Sequence, residues 1–563
     1  MYNRKQIHNS GEKTMRKYWI WIVLILFTCI LIVFGYERAG LIQFGTPSYE
    51  PLMNNPKPVE NKDNQAFAVS ANHPLAVEAG MDVLNKGGNA ADAAVAVSYV
   101  LAVVEPFGSG LGGGGAAIVL QDGKAMSYDY KEIAPYSGET PEIQAGIPGF
   151  VKGIEKLHED YGSLEMDELM EPAIKLAKEG FEADQYLVDR LQAASYRISK
   201  SSASPFFNGD TVIEVGETIK QPELAETLER VKENGAKGFY EGEMATELAQ
   251  ALGVKKSDFR KYEVEKEPPV ESTVFGYRVL SSPPPLGGTT LEQILKLAET
   301  FDLKNIEPDQ ADFPHALGEF IKVAYEKRLD TVADPRYFSK DMDKLVTDSY
   351  IESLKEDLDL SDLPSDVLLE DSTADKKGYD NTTHFVIADR EGTMISATHS
   401  LGNFFGSGTM INGMFINNSL SHFSTNENSL NKKEPGKRPR SHSAPMILAN
   451  DEKLIGIGSP GGKRIPMILS QVLLRHIVYR EELQEAIDEP RFIIEGNKIY
   501  VEETMSDDSI GELSQRGYDV YLKENPFFYG GVQALVIDEE NNQIYGGADR
   551  RRIGTWDASK IDE

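Results

Sequence analysis

The sequence contains a single cysteine, Cys29, among its 563 residues. One cysteine cannot form an internal disulfide and cannot build a cysteine-based metal site. The chain also lacks an HExxH motif, a Walker phosphate loop and the GxSxG elbow of α/β-hydrolases. We therefore expect a fold that is stabilised by packing, with no metal ion and no cofactor.

Positive charge is also scarce. The chain has 58 Lys and Arg against 89 Asp and Glu, which gives a formal net charge of −31 at pH 7. This excess of acid excludes a general affinity for nucleic acid or for anionic membrane surfaces. An anionic ligand would therefore need a local basic pocket. The hydrophobic fraction of 40% is ordinary for a globular protein of enzyme size.

The N-terminal part contains a long run without charge, "YWIWIVLILFTCILIVFGY", at residues 18–36. At 1.5 Å per residue this run is long enough to cross the roughly 30 Å hydrocarbon core of a bilayer. Residues 1–17 are rich in Lys and Arg, so the positive-inside rule keeps them cytoplasmic and sends the rest of the chain outside. We expect an uncleaved cell-membrane anchor, and a cleaved signal peptide with secretion is the alternative. Residues 37–66 follow as a linker.

The first half of the folded part has mainly helical patterns. Apolar spacing predicts one helix that ends at Gly87 and Gly88, and a second helix from Ala90 to Val104. The segment "GSGLGGGGAAIVL" contains a formal GxGxxG, but it precedes a strand instead of opening a helix, which argues against a dinucleotide site. Further along, Thr289 and Thr290 are predicted to cap a helix.

Short strands and glycine turns follow a strongly acidic stretch that ends at Asn381. The first of these strands begins with Thr382 and Thr383, where a core strand usually has aliphatic residues. Threonine pairs are common at strand starts, but a threonine hydroxyl becomes a nucleophile when a base is adjacent. If the Asn381–Thr382 bond is cut, the new α-amine of Thr382 can be that base, because α-amines titrate near pH 8. His384 is expected to pack in the core.

Seven motifs extend along the folded part. They are, in order, "HPLAVEAGMDVLNKGGNAADAAVAVSYVLAVVEPFGSGLGGGG", "AGIPGF", "GAKGFYEG", "PPPLGGTTLEQIL", "NTTHFVIADREGTMISATHSLGNFFGSG", "PGKRPRSHSAP" and "GSPGGKRIP". In this order and approximate spacing they resemble the γ-glutamyltranspeptidase family, from about Phe67 to Trp556. The segments "NFFGSG", "FFYGGVQALVID" and "RRIGTW" are most similar to the branch that processes poly-γ-glutamate capsules.

The resemblance implies an α/β fold, the four-layer αββα sandwich of the N-terminal-nucleophile hydrolases, here preceded by one transmembrane helix. It also implies a precursor that cleaves itself between Asn381 and Thr382. The products would be a large subunit, 67–381, and a small catalytic subunit, 382–563, which pair as a heterodimer.

The catalytic residues are carried over from the same resemblance. Thr382 would be the nucleophile, and the hydroxyl groups of Thr398 and Ser400 would orient it. The backbone N–H groups of Gly461 and Gly462 would form an oxyanion hole, because glycines let the backbone approach the tetrahedral oxyanion closely.

Departures from the family pattern affect the donor site. Lys131 stands where the family has an Arg that binds the donor α-carboxylate, and a lysine keeps the charge but loses the bidentate geometry. The family also has an acid that pairs with the donor α-ammonium, and here "NNSLSHF" has Ser419 and His422 instead. A donor with a free α-amine, such as glutathione, would therefore be held less well.

A polymer donor would tolerate these changes. An internal residue of γ-linked polyglutamate has an acylated α-amine and keeps only its α-carboxylate charged. Two carboxylate-binding serines of the family correspond to Ser441 and His442 here, and an Asn corresponds to Gly402. Arg464 and Arg552 are the best candidates for carboxylate contacts. Other basic clusters, Lys437-Arg438-Arg440, Lys463 and Arg550-Arg551, are equally explained as charged turn residues.

These observations favour an extracytoplasmic, membrane-tethered γ-glutamyltransferase or hydrolase that forms a γ-glutamyl ester on Thr382 and passes the acyl group to water or an amine. Poly-γ-glutamate is the expected substrate, and glutathione is the alternative. A second alternative is an inactive surface protein of the same fold that binds an anionic polymer. No nucleic acid partner is expected.

Overall fold

A computed structural model describes residues 56–61, 65–338, 341–361, 380–503 and 505–560. The predicted membrane segment at 18–36 and the acidic stretch at 362–379 lie outside these ranges. Within the ranges, no helix combines the length and the apolar character that crossing a bilayer requires.

Two seven-stranded sheets form the centre of the fold. Sheet 1 has the order β1 (Val59–Glu60), β22 (Gln543–Ala548), β21 (Gln533–Asp538), β17 (Lys453–Gly458), β16 (Met446–Ala449), β11 (Tyr277–Ser281) and β10 (Val270–Val274). Sheet 2 has the order β23 (Thr555–Lys560), β2 (Ala66–Ala71), β12 (Asp380–Ala388), β13 (Met394–Asn403), β3 (Gly114–Gln121), β4 (Lys124–Asp129) and β9 (Glu265–Glu267). All neighbouring strands within these two sheets run antiparallel.

The remaining strands form small sheets at the periphery. Three are pairs: β5 (Phe181–Glu182) with β8 (Thr218–Ile219), β6 (Phe207–Asn208) with β7 (Thr211–Val212), and β14 (Met410–Ile411) with β15 (Met414–Phe415). The fourth has the order β18 (Phe492–Glu495), β19 (Lys498–Val501) and β20 (Asp519–Leu522).

Some helices of the described ranges pack on the two large sheets, and others contact helices or the small sheets. The helices are α1 (Pro74–Asn85), α2 (Ala90–Val104), α3 (Phe150–Tyr161), α4 (Met166–Glu179), α5 (Gln185–Ala194), α6 (Pro222–Tyr240, broken at Gly235), α7 (Gly242–Leu252), α8 (Lys256–Arg260), α9 (Gly288–Glu299), α10 (Asp312–Thr331), α11 (Asp348–Lys355), α12 (Ile465–Ile477), α13 (Leu483–Asp488) and α14 (Asp507–Gln515).

Local chemistry explains where the first two helices begin and end. His73 caps α1 by accepting from the N–H of Leu75, and Asn89 caps α2 in a capping box with Asp92. All residues of α2 are buried, and its many alanines let it lie close to β12 and β13 of sheet 2. The predicted ends of both helices are confirmed.

The layers follow from two apolar cores. One core lies between the sheets and joins residues such as Val386 and Met394 of sheet 2 to Ile447 and Leu535 of sheet 1. The other lies between sheet 1 and helices α9, α10 and α12. Helices α1 and α2 contact the outer face of sheet 2. The predicted four-layer αββα arrangement is confirmed.

Two sequence predictions are wrong. Helix α9 begins at Gly288 after Gly287, so Thr289 and Thr290 lie inside the helix with buried hydroxyls and do not cap it. The structure also places β1 (Val59–Glu60) inside the stretch 37–66 that was predicted as a linker, so that prediction is wrong at these residues. The strand predicted after the glycine-rich segment is confirmed as β3.

Candidate active site

Thr382 lies near the beginning of the central strand β12 and is 5% exposed. The pairing of β12 with β13 is irregular at this point: Asn381 lies opposite Gly402, but Thr382 lies opposite Ser400. The residue between them, Leu401, is therefore the extra residue of a β-bulge. The hydroxyl of Thr382 has no hydrogen-bond partner among the described residues. A bulge and an unpaired hydroxyl thus coincide at the bond predicted to be cut.

His384 holds the hydroxyl of Thr398. Its Nδ1 lies 2.8 Å from Thr398 Oγ1, and its Nε2 lies 3.4 Å from Ser396 Oγ. Gly458 of β17 makes room for the ring, because a Cβ there would lie 2.2 Å from His384 Cε1. Burial, with a smaller effect of His399, lowers the pKa of His384 to about 3, so the imidazole is neutral. His384 is a packed residue, as the sequence predicted.

Ser400 faces Thr382 across the two strands but uses its hydroxyl locally. Its Oγ accepts a hydrogen bond from the N–H of Gly402 at 3.0 Å. Gly402 has φ of +87°, and a Cβ there would lie 2.4 Å from Asn418 Oδ1, so a larger residue at this position would displace the Asn418 side chain. In the uncleaved chain, neither Thr398 nor Ser400 hydrogen-bonds to Thr382 Oγ1. Their role in orienting Thr382 after cleavage stays a prediction.

Gly461 and Gly462 form a turn that contacts β12. They follow β17 and have φ of +146° and +58°, which favour glycine, and they lead into α12. Among the described residues, no acceptor takes either of their backbone N–H groups. The turn also lies just before the positively polarised N-terminus of α12. Two N–H donors that have no acceptor among the described residues therefore lie beside β12, and this arrangement matches the requirements of an oxyanion hole.

Ser459 is a structural residue of the same turn. Its hydroxyl donates to the carbonyl of Pro460 at 2.7 Å and accepts from the N–H of Gly531 at 3.1 Å. It therefore joins the turn to the loop that precedes β21. Arg552 stabilises that loop, because its Nε donates to the carbonyl of Gly530 at 2.9 Å and its Nη2 to that of Phe527 at 3.2 Å.

Both predicted carboxylate-binding arginines are buried. Arg464 is 4% exposed and lies two residues after Gly462, and Arg552 is 1% exposed. The Arg464 guanidinium lies over the ring of Phe528, with Cζ 4.6 Å from the ring centroid. Buried arginines at the edge of this turn provide the local positive charge that an anionic substrate needs in so acidic a chain.

Lys131 has a carboxylate beside it. It lies next to Gly114, which pairs with Ser400 across β3 and β13. The ammonium lies 3.1 Å from a carboxylate oxygen of Glu132, and both side chains are buried. A substrate carboxylate at Lys131 would therefore compete with Glu132 for the charge.

The other predicted donor-site residues lie in two loops. Ser419 and His422 are in a short turn that contacts β13, and the Ser419 hydroxyl donates to Asn417 Oδ1 at 2.8 Å. Ser441 bonds to the hydroxyl of a serine two residues later, at 3.2 Å, and the His442 ring stacks on Tyr325. The hydroxyls of Ser419 and Ser441 and the ring of His442 thus already contact other residues of the protein.

Most of the remaining basic residues have structural partners. Arg438 bridges Asp129 and Glu265, with both distances 3.3 Å, and Lys437 pairs with Glu434 at 2.9 Å. Arg551, Arg440, Lys463 and Arg550 likewise contact carboxylates or backbone carbonyls at 2.6 to 3.7 Å. The interpretation of these clusters as ordinary charged residues of turns is thereby supported.

Glu105 is a buried carboxyl that sequence reasoning missed. It ends α2 and is 1% exposed. Burial raises the pKa of Glu105 to about 7, against the opposing effects of the Thr383 hydroxyl, His73 and Arg552. In the sequence a glutamate at the end of an apolar helix resembles an exposed cap, so no local signal marks it. It lies behind the nucleophile strand.

Comparison with known proteins identifies relatives along nearly the whole chain. The family described as Gamma-glutamyltranspeptidase matches residues 76–558. The Capsule biosynthesis protein CapD proenzyme of Bacillus anthracis is 43% identical over 498 residues, which are 88% of this chain and 92% of that protein. The Glutathione hydrolase proenzyme of Bacillus subtilis (strain 168) is 30% identical over 588 residues, 96% and 98% of the two chains.

A solved structure confirms the architecture. The crystal structure of cephalosporin acylase from Bacillus halodurans superposes with a TM-score of 0.81 and 26% sequence identity. It covers 93% of this chain and 100% of the acylase chain. The two sequence relatives above are both named as proenzymes.

Proposed function

Because the chain belongs to the γ-glutamyltranspeptidase family, we propose that it is an autoprocessing γ-glutamyltransferase or hydrolase with Thr382 as its nucleophile. The observation that carries this proposal is the buried hydroxyl of Thr382 at a β-bulge, beside the Gly461–Gly462 turn. Within the described part of the chain, neither this hydroxyl nor the two N–H groups of the turn have a hydrogen-bond partner. Maturation and catalysis would both use this arrangement.

Maturation begins with an attack of Thr382 Oγ1 on the carbonyl carbon of Asn381. The C–N bond breaks, the Thr382 nitrogen takes the hydroxyl proton, and Asn381 is held as an ester on Oγ1. Water then hydrolyses this ester and leaves Asn381 as a carboxyl terminus. The products are the proposed large subunit, 67–381, and small subunit, 382–563.

Catalysis repeats the chemistry on a γ-glutamyl amide. The free α-amine of Thr382 accepts the proton of its own hydroxyl as Oγ1 attacks the γ-carbonyl carbon. The N–H groups of Gly461 and Gly462 stabilise the oxyanion, and the leaving amine takes the proton as the C–N bond breaks. Water or an amine then attacks the γ-glutamyl ester. Thr398 and Ser400 would position the nucleophile.

Poly-γ-glutamate is the substrate that the site favours. Ser419 stands where an acid would bind a free donor ammonium, and its hydroxyl already bonds to Asn417. An acylated nitrogen inside a polymer has no charge to bind. Arg464 and Arg552 would bind polymer carboxylates, and a relative is named as a capsule biosynthesis protein. Lys131, His422, Ser441 and His442 complete the proposed donor site.

A direct test of the nucleophile is cleavage on a denaturing gel. Wild-type protein should run as two fragments, the smaller of which begins at Thr382. The Thr382→Ala variant should remain one chain and should show no γ-glutamyl transfer activity. Thr383→Ala is a matched control, since that hydroxyl lies on the opposite face and accepts from Asn72 Nδ2 at 3.1 Å. It should still be cleaved. If the wild-type protein stays uncleaved and inactive, the proposal that it is an enzyme is refuted.

The substrate is tested with the matured protein. Incubation with poly-γ-glutamate and separately with glutathione should release product faster from the polymer at equal concentrations of γ-glutamyl bonds. Preference for glutathione would overturn the argument from Ser419 and Lys131. Polymer binding without a covalent adduct at Thr382 from a γ-glutamyl affinity label would favour an inactive binding protein.

The place of action follows from the N-terminal sequence. We infer that residues 18–36 anchor the protein in the cell membrane with the catalytic part outside the cytoplasm, because a charge-free run follows a basic segment. The protein should then remain in the membrane pellet after alkaline carbonate washing, and external protease should degrade it in intact protoplasts. Soluble protein that lacks residues 1–36 would indicate a cleaved signal peptide.

A further inference from the structure

A row of aromatic rings leads from the active-site loop to the surface. It consists of Tyr529, Phe528, Tyr500 and Tyr521, and successive ring centroids lie 5.2, 5.5 and 5.6 Å apart. Tyr529 is fully buried beside Gly530, whose carbonyl Arg552 holds, whereas Tyr521 is 44% exposed. We call these four residues the aromatic row. It therefore extends outward from the proposed carboxylate-binding arginine.

Two cations lie on the second ring of the row. Arg464 Cζ is 4.6 Å and Lys523 Nζ is 3.5 Å from the centroid of Phe528. Lys523 Nζ is also 5.1 Å from the centroid of Tyr500. Because Arg464 follows the oxyanion turn, these contacts connect the turn, through one ring, to Lys523. The positive charge thus continues from the catalytic turn along the aromatic row.

Lys523 is available to a ligand. Within the described residues, no carboxylate lies at ion-pairing distance from its ammonium, whereas neighbouring Lys463 pairs with Glu495 at 3.0 Å. Partial burial, and then the charge of Arg464, lower the pKa of Lys523; Glu495 opposes this shift and Lys463 adds to it. A cation that is crowded by cations in a chain of net charge −31 has an electrostatic deficit that a bound anion would relieve.

We propose that the aromatic row and Lys523 form a track for glutamyl residues of the polymer beyond the residue that reacts with Thr382. Lys523 would bind an α-carboxylate, and the ring faces would contact the methylene groups and amide planes of the chain. The track would determine the preference for a polymer over a donor with one glutamyl residue. This inference rests on the proposed function and identifies the residues that recognise the polymer.

The experiment compares wild type, Lys523→Gln and Lys124→Gln, all as full-length protein. Lys124 is an exposed lysine of β4, so its substitution removes the same charge elsewhere. Each protein is assayed with γ-glutamyl-p-nitroanilide, which has one glutamyl residue, and with poly-γ-glutamate. For Lys523→Gln we expect KM for the polymer to rise about three- to tenfold, as for the loss of one charge-assisted contact. Kinetics on the anilide should stay within about twofold of wild type.

Salt provides a second readout that a purely structural role would not change. Raising the ionic strength should increase KM for the polymer more in wild type than in Lys523→Gln, because the variant has lost one screened contact. A Phe528→Leu variant, which removes the ring between Arg464 and Lys523, should also weaken polymer use more than anilide use.

The outcomes separate this inference from the proposed function. Equal losses on both substrates, or unchanged KM for the polymer in Lys523→Gln, would overturn the track. Wild-type protein without activity on either substrate would overturn the proposed function. In that case equilibrium binding of fluorescent poly-γ-glutamate decides the track: weaker binding by Lys523→Gln alone supports it, and equal binding by all three proteins refutes it.

Discussion

Thr382 combines burial with a hydroxyl that has no partner in the described part of the chain. Leaving a buried hydroxyl unpaired costs about 1–3 kcal/mol. The hydroxyls of Thr289 and Thr290 also have no partner within the described residues, so the assignment rests on the combination of the unpaired hydroxyl with the bulge at Thr382. The β-bulge lies at the same position, next to the Asn381–Thr382 bond. A hydroxyl that is not engaged elsewhere can attack, which is the physical reason to assign the nucleophile to Thr382 and not to Thr383.

Removing the Thr398 hydroxyl should destabilise the fold. Thr398→Val keeps the shape but leaves Nδ1 of the buried His384 unpaired, so we expect a loss of about 1–3 kcal/mol in the free energy of unfolding. Thr398→Ser keeps the hydroxyl and should lose less. Urea unfolding of the three proteins measures this. Equal stability of the Val variant and wild type would contradict the hydrogen bond.

The buried histidines should make stability depend on pH. Burial lowers the pKa of both His384 and His399 to about 3, below their unfolded value near 6.5. Between these values the unfolded state binds more protons, so the free energy of unfolding falls as pH falls below about 6.5. Each histidine contributes up to about 1.4 kcal/mol per pH unit.

Urea unfolding at several pH values between 5 and 7.5 checks this dependence. His399→Leu removes one titrating group, so its slope against pH should be smaller than that of wild type by up to about 1.4 kcal/mol per pH unit, whatever its stability. An unchanged slope would show that His399 does not remain neutral in the folded state.

At the scale of elements, the turn between β17 and α12 has a conformation that only glycine adopts easily. Gly462→Ala forces an alanine to φ near +58° and moves an N–H group of the proposed oxyanion hole. We expect kcat to fall about 10²- to 10³-fold, as for the loss of one oxyanion donor. Gly511→Ala, in α14 with open space around the site of a Cβ, is the control and should keep full activity.

The same substitution also tests whether the N–H of Gly462 is a hydrogen-bond donor to the oxyanion. If Gly462→Ala matures and retains kcat, the N–H of Gly462 does not stabilise the oxyanion. If Gly511→Ala also loses activity, the loss reports general destabilisation, which thermal unfolding of both variants would reveal.

Some element boundaries were predictable and others were not. The end of α1 and the length of α2 follow from capping residues and glycine signals, which act within a few residues. The predicted start of α9 was wrong because Gly287 packs tightly against His442, which is distant in sequence, and Gly288 packs against Ser282 of the preceding turn. Local capping preferences cannot include such contacts.

At the scale of the whole molecule, both sheets contain strands from both sides of the proposed cleavage bond. In sheet 2, β12 pairs with β2 and β13 pairs with β3. In sheet 1, β11 pairs with β16. Cutting before Thr382 breaks one peptide bond but none of these pairings. The two products should therefore stay together.

We expect the matured protein to elute from a size-exclusion column as one species, although it gives two bands on a denaturing gel. Separation should require urea at a concentration that also unfolds the uncleaved Thr382→Ala variant, because the same cores hold both forms. Fragments that separate in native buffer would contradict the shared sheets.

The sequence by itself determined the class of the protein, the nucleophile candidate and the absence of disulfides, because motif order and residue type are properties of the chain. Only the tertiary structure decided which charges are available. Arg438 and Lys437 are paired, and Lys131 is beside Glu132, whereas Lys523 has no carboxylate partner among the residues that the structure describes. Ion pairing and burial depend on residues that are distant in sequence, and only folding brings these together.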